Sequence, residues 1–335
     1  MSFTRFFPVW LLLLTPSGAY ASDLSPGGDT APTAEAAPEP SGRLADLLAQ
    51  VEKVDVTPAE PFLWLVTSDK KNARGVVWIT GSLHLGRPEM YPLDPAIEGA
   101  FKQSQKLAVE MDVSAPSVEQ EMARRLLAGG MLPEGQSLKA LLPGRYEELK
   151  AALSSFGIPI ASIDGTTPFL IGTVLSVNEM VRAGWDPNLG IDRYFLTAAR
   201  AQGKEIVELE GLERQLRVFR EMPLSTQLVS LRSTLDHLGA LDAWASKVWE
   251  ALRAGDTDAL LRLQEIEASE DEEEFHRVML LERNAEMAAK LALHARKGRD
   301  AMFVVVGALH VPGEQGLIDL LTRDKRLKVT RFTRE

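Results

Sequence analysis

Two short histidine motifs, near the two ends of the chain, are the best candidates for chemistry. They read Gly-Ser-Leu-His at 81–84 and Gly-Ala-Leu-His at 307–310. Each follows an apolar run, 76–80 and 302–306, that predicts a buried strand. Ligands of open α/β sheets bind beyond the carboxyl ends of strands, so His84 and His310 are predicted to lie at such an edge. The glycine that opens each motif is expected to allow a sharp turn or a positive φ.

A histidine after a strand, taken singly, is more often a capping or packing residue than a catalytic one. The matching contexts of His84 and His310 favour a functional role for both. The chain has only five histidines, and the other three lie in helical surroundings, where His294 can interact favourably with a helix C-terminus. We therefore predict that His84 and His310 contribute to one site.

A carboxylate interrupts the next apolar strand, predicted over 106–113. A helix precedes this strand, and the right-handed crossover that such a unit normally makes would bring Glu110 to the same sheet edge as His84. A buried carboxylate is costly unless it is paired, hydrogen-bonded or bound to a cation. Glu110 therefore indicates either a ligand site or a structural contact with an arginine. Glu210 ends a further predicted strand, 204–210, in the same way.

Composition divides the chain into three parts. Residues 1–21 combine Arg5, an apolar core and an Ala-Tyr-Ala sequence, as in a cleaved secretory signal. Residues 22–58 are a Pro/Ala-rich linker with a short helix at 44–54. Residues 59–335 are predicted to form an α/β (α+β) domain, with a central mixed, partly parallel sheet flanked by helices and a helical insertion at about 114–200.

The charge balance and the motifs exclude several classes of function. The chain carries 37 basic and 47 acidic residues and no cysteine, so nucleic acid is an unfavourable partner and thiolate chemistry is excluded. Phosphate-cradling and serine-hydrolase motifs are absent from the sequence. The signal sequence predicts an exported protein, periplasmic or secreted, without a stable membrane anchor after cleavage. An uncleaved anchor is the alternative.

An ordered set of short motifs over about residues 60–335 resembles the TraB/GumN family. These motifs are 81–86 with Tyr-Pro-Leu at 91–93, Val-Glu-Met-Asp at 109–112, Gly-Ile-Asp at 190–192, 209–216, Glu-Arg-Asn at 282–284 and 306–313. The resemblance implies a relationship to the Tiki metalloproteases, and more distantly to erythromycin esterase and a haem-binding lipoprotein. It also implies that His84, Glu110 and His310 are the site positions, with further polar positions at Glu210, Asp192, Arg283 and Asn284. Gly211 departs from the threonine common there.

Three functional interpretations follow for a peptide or small-molecule substrate. In the first, His84, Glu110 and His310 bind Mn²⁺, Co²⁺ or Zn²⁺, and Glu210 accepts a proton from the attacking water. In the second, the enzyme is a metal-free hydrolase in which His84 is the general base, oriented by Glu110. In the third, the protein is a non-enzymatic module that binds haem or a metal through the histidine pair. Mixed imidazole and carboxylate ligands do not discriminate among the three metals.

Overall fold

The computed structural model describes residues 42–70, 74–114, 116–265 and 273–334. The predicted signal sequence and most of the linker lie outside these residues. The short helix predicted at 44–54 is present as α1, Gly42–Glu52. Within the described ranges, no helix combines the length and the apolar character needed to span a membrane.

A single six-stranded sheet forms the centre of the molecule. Its strands are β1 Leu63–Ser68, β2 Val76–Ser82, β3 Lys106–Val109, β4 Glu205–Glu208, β5 Ala301–Gly307 and β6 Leu327–Arg331, in the order β4-β3-β5-β2-β1-β6. β1 pairs antiparallel with β2 and β6, whereas β2, β5, β3 and β4 run parallel. The predicted mixed, partly parallel sheet flanked by helices is therefore confirmed.

The central strand β5 is buried along almost its whole length, and its sequence is correspondingly apolar. Phe303 of β5 packs against Phe101 at 5.6 Å and Phe195 at 4.8 Å between ring centroids. Phe101 lies on α2, Pro95–Gln103, and Phe195 lies on α7, Ile191–Ala201. This aromatic cluster fixes α2 and α7 on the sheet, and α7 begins beside the first histidine motif.

Helices fill the two long connections of the sheet. Between β3 and β4 lie α3 Pro116–Gly129, α4 Leu138–Leu141, α5 Tyr146–Ser154, α6 Pro168–Arg182 and α7. Between β4 and β5 lie α8 Leu212–Glu221, α9 Leu224–His237, α10 Leu241–Ala254, α11 Thr257–Glu265, α12 Glu273–His276 and α13 Glu282–Lys297. α14, Leu317–Arg323, connects β5 to β6. A separate apolar cluster joins α4, α5, α6 and α9.

Three predicted elements have different bounds in the structure. Helical patterns in the sequence predict one long helix at 226–254, which is two helices in the structure because Gly239 has a φ of 98° between them. They also predict a helix at 138–155, which is interrupted at Pro143 and Gly144. The strand expected at 106–113 ends at Val109, so Glu110 follows the strand instead of interrupting it.

A π-helical turn, Arg277–Leu281, joins α12 to α13. The sequence predicts one continuous helix here, and a π turn differs from it by opening the i to i+4 hydrogen-bond pattern. π turns occur often at functional sites. This one immediately precedes Arg283 and Asn284, two adjacent polar residues that are both buried.

Candidate functional site

The strand register brings the predicted site residues to one edge of the sheet. Ser82 at the end of β2 lies opposite Gly307 of β5, and Val109 at the end of β3 lies opposite Val305 of β5. The segments that leave these strands carry His84, Glu110 and His310. The carboxyl ends of the parallel strands therefore place both histidines and the glutamate at one edge of the sheet.

His84 is bound by a carboxylate from the start of α7. Its Nδ1 lies 3.0 Å from Oδ2 of Asp192, and Asp192 Oδ1 accepts a 3.2 Å hydrogen bond from the Ser82 hydroxyl. Burial acts to lower the pKa of His84, but the Asp192 carboxylate outweighs it and raises that pKa to about 8. The pKa of Asp192 is raised by burial and lowered more strongly by His84, so it lies below its usual range. The partner that orients His84 is thus Asp192, and not Glu110 as the metal-free interpretation assumed.

Close backbone approach explains the glycines around the first motif. A Cβ at Gly190 would lie 2.3 Å from the carbonyl oxygen of His84, and a Cβ at Gly81 would lie 2.8 Å from Phe62 and from Leu252. Gly81 is not among the glycines with positive φ, and Gly307 has a φ of −46°. Neither glycine therefore takes a positive φ, the second of the two expected possibilities, and at Gly81 the missing side chain serves packing.

Arg283 joins the two predicted glutamates. Its guanidinium has no solvent exposure, and Nη2 lies 2.5 Å from Glu110 Oε2 and 2.8 Å from Glu210 Oε2. Nε donates to Glu210 Oε1 at 2.7 Å. Burial opposes the charge of Arg283, but the two carboxylates outweigh it and raise its pKa. The arginine partner that the sequence left open for Glu110 is therefore present.

The π-helical turn contributes to the position of Arg283. Nη1 donates to the carbonyl oxygen of Met279, within the turn, at 3.1 Å. Nη1 is the guanidinium nitrogen that bonds to neither glutamate. Both oxygens of Glu210 are bound by Arg283 or Gln215, and its side chain has no solvent exposure. In this arrangement Glu210 holds the arginine.

Glu110 has a different neighbour at each carboxylate oxygen. Oε2 faces Arg283 and the Gln215 amide nitrogen, the latter at 3.3 Å. Oε1 accepts a 2.7 Å hydrogen bond from the Gly307 amide and lies 3.8 Å from His310 Nε2. Glu110 therefore connects the arginine cluster to the second histidine.

The tautomer of His310 follows from its hydrogen bonds. The Asn284 amide nitrogen donates to the Gln315 carbonyl at 2.9 Å, so the Asn284 oxygen faces His310 Nδ1 at 2.6 Å and must accept from it. Nδ1 therefore carries the proton. Burial first, and then Arg283, hold the pKa of His310 well below its usual range, so the ring is neutral. Its Nε2 consequently carries a lone pair, and this atom lies 3.8 Å from Glu110 Oε1.

The donor atoms of the cluster suit a cation. His84 Nε2 and His310 Nε2 are both buried and have no hydrogen-bond partner. An imidazole whose Nδ1 is held by a side-chain oxygen is the usual arrangement of a metal ligand. Within the part of the chain that the structure describes, however, no three or more His, Asp or Glu side chains are already grouped as a metal centre. The residue types fit a divalent ion, but the side chains do not form a group that could already hold one.

Sequence reasoning missed one contact and one residue of this site. Asp192 was expected among the polar positions through the family resemblance, but its contact with His84 was not predicted, because an acid near a helix N-terminus is already favourable there. The preceding glycine marks a close approach that could have indicated this contact. Gln215, which is 2% exposed on α8, was not singled out. A buried glutamine in an amphipathic helix has no local signal that separates it from an exposed one.

The family model described as the TraB/PrgY/gumN family matches residues 62–331. The chain therefore belongs to the TraB/PrgY/gumN family. The matched range contains all the strands of the sheet and every residue of the cluster described above.

Among curated proteins, the chain is similar to the uncharacterized protein YbaP of Escherichia coli (strain K12). The two are 29% identical over 252 residues, which is 72% of this chain and 86% of the relative. The uncharacterized protein YbaP of Shigella flexneri matches to the same extent, 29% over 252 residues. No solved structure matches the chain significantly.

Proposed function

We propose that the protein is an exported, metal-dependent hydrolase that acts on peptides. The observation that carries this proposal is the pair of buried imidazoles whose Nε2 atoms lack partners, next to an excess of negative charge. Glu110, Glu210 and Asp192 supply three carboxylates, and Arg283 supplies one guanidinium. With His310 neutral and His84 protonated, since its pKa is raised to about 8, the cluster has one uncompensated negative charge. A divalent cation that displaced the His84 proton would balance the two negative charges then left.

His84 and His310, through Nε2, and Glu110, through Oε1, are the proposed ligands. When bound, a Mn²⁺, Co²⁺ or Zn²⁺ ion would lower the pKa of a coordinated water and so supply the nucleophile. Asp192 and Asn284 orient the two rings and fix their tautomers. The proton-acceptor role predicted for Glu210 requires one of its oxygens to leave Arg283 or Gln215.

A metal-independent hydrolase is the second candidate, and two observations favour it. The His84–Asp192 pair has the geometry of an oriented general base, and His84 Nε2 has no hydrogen-bond partner. Because the pKa of His84 is about 8, Nε2 can take a proton from water only in the molecules whose ring is neutral, a fraction that grows as pH rises. The cluster is also not drawn together as a metal centre among the described residues. In this mechanism His310, neutral and unprotonated at Nε2, would accept a hydrogen bond from the substrate.

Metal content and hydrolysis, measured together, test the proposal. The full-length protein is purified from a host that exports it, analysed for bound metals, and incubated with a defined peptide pool whose cleavage is followed by mass spectrometry. The variants are His84→Ala and His310→Ala, with His294→Ala as the control, since that histidine pairs with Asp300 outside the cluster.

The proposal expects about one divalent ion per chain, lost in both site variants and kept in His294→Ala, together with cleavage that a chelator abolishes. Chelator-resistant cleavage that His84→Ala and Asp192→Asn both abolish would favour the metal-free candidate. A haem absorbance band on titration, without cleavage, would favour the non-enzymatic interpretation.

A further inference from the structure

Gln315 lies in the loop between the second histidine motif and α14, and its backbone conformation is unusual. Among the residues that the structure describes, it is the one non-glycine residue with a positive φ, 61°. This conformation is unfavourable for a residue with a Cβ and persists only where the surrounding structure imposes it. The side chain of Gln315 is exposed, so side-chain packing does not explain the conformation.

Two hydrogen bonds hold the backbone of Gln315. Its N–H donates to Asp319 Oδ2, in the first turn of α14, at 2.9 Å. Its carbonyl oxygen accepts from the amide nitrogen of Asn284, on α13, at 2.9 Å. The loop around it is tightly closed, since a Cβ at Gly316 would lie 2.1 Å from the Pro312 carbonyl oxygen. The positive φ therefore lets one residue donate to α14 and accept from α13 at the same time.

The neutral His310 ring can carry its proton on either nitrogen, and a different acceptor lies near each one. Nδ1 lies 2.6 Å from Asn284 Oδ1, whereas Nε2 lies 3.8 Å from Glu110 Oε1. A carboxylate is the stronger acceptor, so a proton on Nε2 would be attracted to Glu110. Asn284 keeps the proton on Nδ1 only while its oxygen, and not its nitrogen, faces the ring. Because a side-chain amide can present either atom, a neighbouring group must fix its orientation.

We propose that Gln315 is a positioning residue, whose backbone fixes the Asn284 amide and, through it, the tautomer of His310. A carbonyl oxygen only accepts hydrogen bonds, so the Asn284 nitrogen must face the loop and its oxygen must face the ring. If the carbonyl moved away, the amide could rotate, donate to Nδ1 and leave the proton on Nε2, beside Glu110. This inference rests on the proposed function, since both candidate mechanisms use a lone pair on His310 Nε2.

The test reads the His310 tautomer directly by NMR, in the chelator-treated full-length protein at neutral pH and without substrate. The histidine rings are labelled with ¹⁵N, because the chemical shift of a protonated ring nitrogen differs from that of a nitrogen with a lone pair. His310→Gln assigns the signals. Gln315→Val is the test variant, since a β-branched residue is a genuine outlier at positive φ and should displace the carbonyl.

Two further variants separate the backbone conformation from other effects of a substitution. Gln315→Gly removes the side chain and the strain but allows the same positive φ, so the carbonyl should stay in place. Glu314→Val is the matched control, because Glu314 is the neighbouring exposed residue of the same loop and has no positive φ. Near-ultraviolet circular dichroism checks the fold of each variant. Asp319→Ala, which removes the acceptor of the Gln315 N–H, replaces Gln315→Val if that variant does not fold.

The parent, Gln315→Gly and Glu314→Val should each show His310 protonated mainly at Nδ1. In Gln315→Val the ratio of the Nδ1 tautomer to the Nε2 tautomer should fall by about threefold to tenfold, as the loss of one neutral hydrogen bond predicts. An unchanged ratio in Gln315→Val, a parent ring protonated at Nε2, or an equal fall in Glu314→Val would overturn the inference. The measurement involves neither metal nor cleavage, so a parent that hydrolyses no peptide contradicts the proposed function alone.

Discussion

His84 Nδ1 lies 3.0 Å from Asp192 Oδ2, and this contact ties the loop after β2 to the start of α7. The same α7 carries Phe195, which packs on Phe303 of β5. The orientation of the imidazole is therefore set by a helix that the aromatic core fixes on the sheet. A change in the ring's hydrogen-bond partner should be measurable without disturbing that core.

The first prediction concerns the charge of His84 in the metal-free protein. Asp192→Asn removes the negative charge but keeps a hydrogen-bond acceptor, so burial should dominate and bring the pKa of His84 from about 8 to below 6.5. Titration of the His84 Cε1 proton by NMR measures this change. Asp186→Asn is the control: this half-buried carboxylate accepts from the Asn188 amide and does not contact His84, so the change should leave the titration in place. A His84 pKa that stays near 8 in Asp192→Asn would assign the shift to another group.

The second prediction concerns Arg283. Arg283→Met leaves Glu110 and Glu210 buried without their cation, so the free energy of unfolding should fall by about 3–5 kcal/mol. Urea denaturation measures it, and Arg323→Met, at an exposed ion pair, should cost about 0.5 kcal/mol or less. Adding Glu210→Gln to Arg283→Met should restore part of the loss, because it removes one of the unpaired charges. A double variant no more stable than the single one would contradict this account.

The third prediction concerns Glu179 on α6, far along the chain from the cluster. Burial raises the pKa of Glu179 to about 7, although the backbone amides of Gly239 and Leu241 act to lower it. The folded protein then binds a proton more tightly than the unfolded chain, so this group's contribution to stability falls as pH rises from about 4.5 to about 7. Glu179→Gln keeps the acceptor for Gly239 and removes the charge.

Glu179→Gln should therefore be more stable than the parent above pH 7, by about 3 kcal/mol, and nearly equal to it below pH 4.5. Urea denaturation at pH 4.5 and pH 8 measures the difference. Glu147→Gln, at a carboxylate that is 81% exposed, should show no such dependence. A stability difference that does not change with pH would place the Glu179 pKa near that of the unfolded chain.

The fourth prediction tests the role of Glu210. If Glu210 accepts the proton from water, Glu210→Gln should reduce peptide cleavage by about 100-fold or more while the metal content stays the same. Glu213→Gln, at a 59% exposed glutamate on α8, is the control and should cleave normally. A loss of less than about tenfold would leave Glu210 with the structural role that its contacts with Arg283 show.

Much of the fold follows from local sequence patterns. Apolar runs predict β2 and β5, the Asp94–Pro95 pair predicts the start of α2, and the crossover rule brings β3 to the correct edge. The breaks between consecutive helices are harder to predict. Gly239 separates α9 from α10 only because its φ is positive there, and many helical glycines do not break a helix.

The site was only partly predictable, for a different reason. His84, Glu110 and His310 stand at strand ends, and strand ends can be found from periodicity. Asp192 contacts His84 and Gln215 contacts Glu110, each from a helix in one of the two long connections. Their positions depend on tertiary packing. Local patterns carry no information about which distant helix meets which strand.

The strand order has a consequence for how the protein comes to exist in the cell. β2 pairs in parallel with β5, and β1 pairs with β6. The sheet can therefore be completed only when nearly the whole chain is present. Non-local pairing of this kind slows folding and leaves strand edges unpaired in the meantime. Nascent chains that end before His310 lack one of the two histidines of the site. Until β5 and β6 are available, the edges of β1 and β2 would be open to chaperones. The cluster of His84, Glu110 and His310 can therefore assemble only after β5 and the segment through His310 have been made.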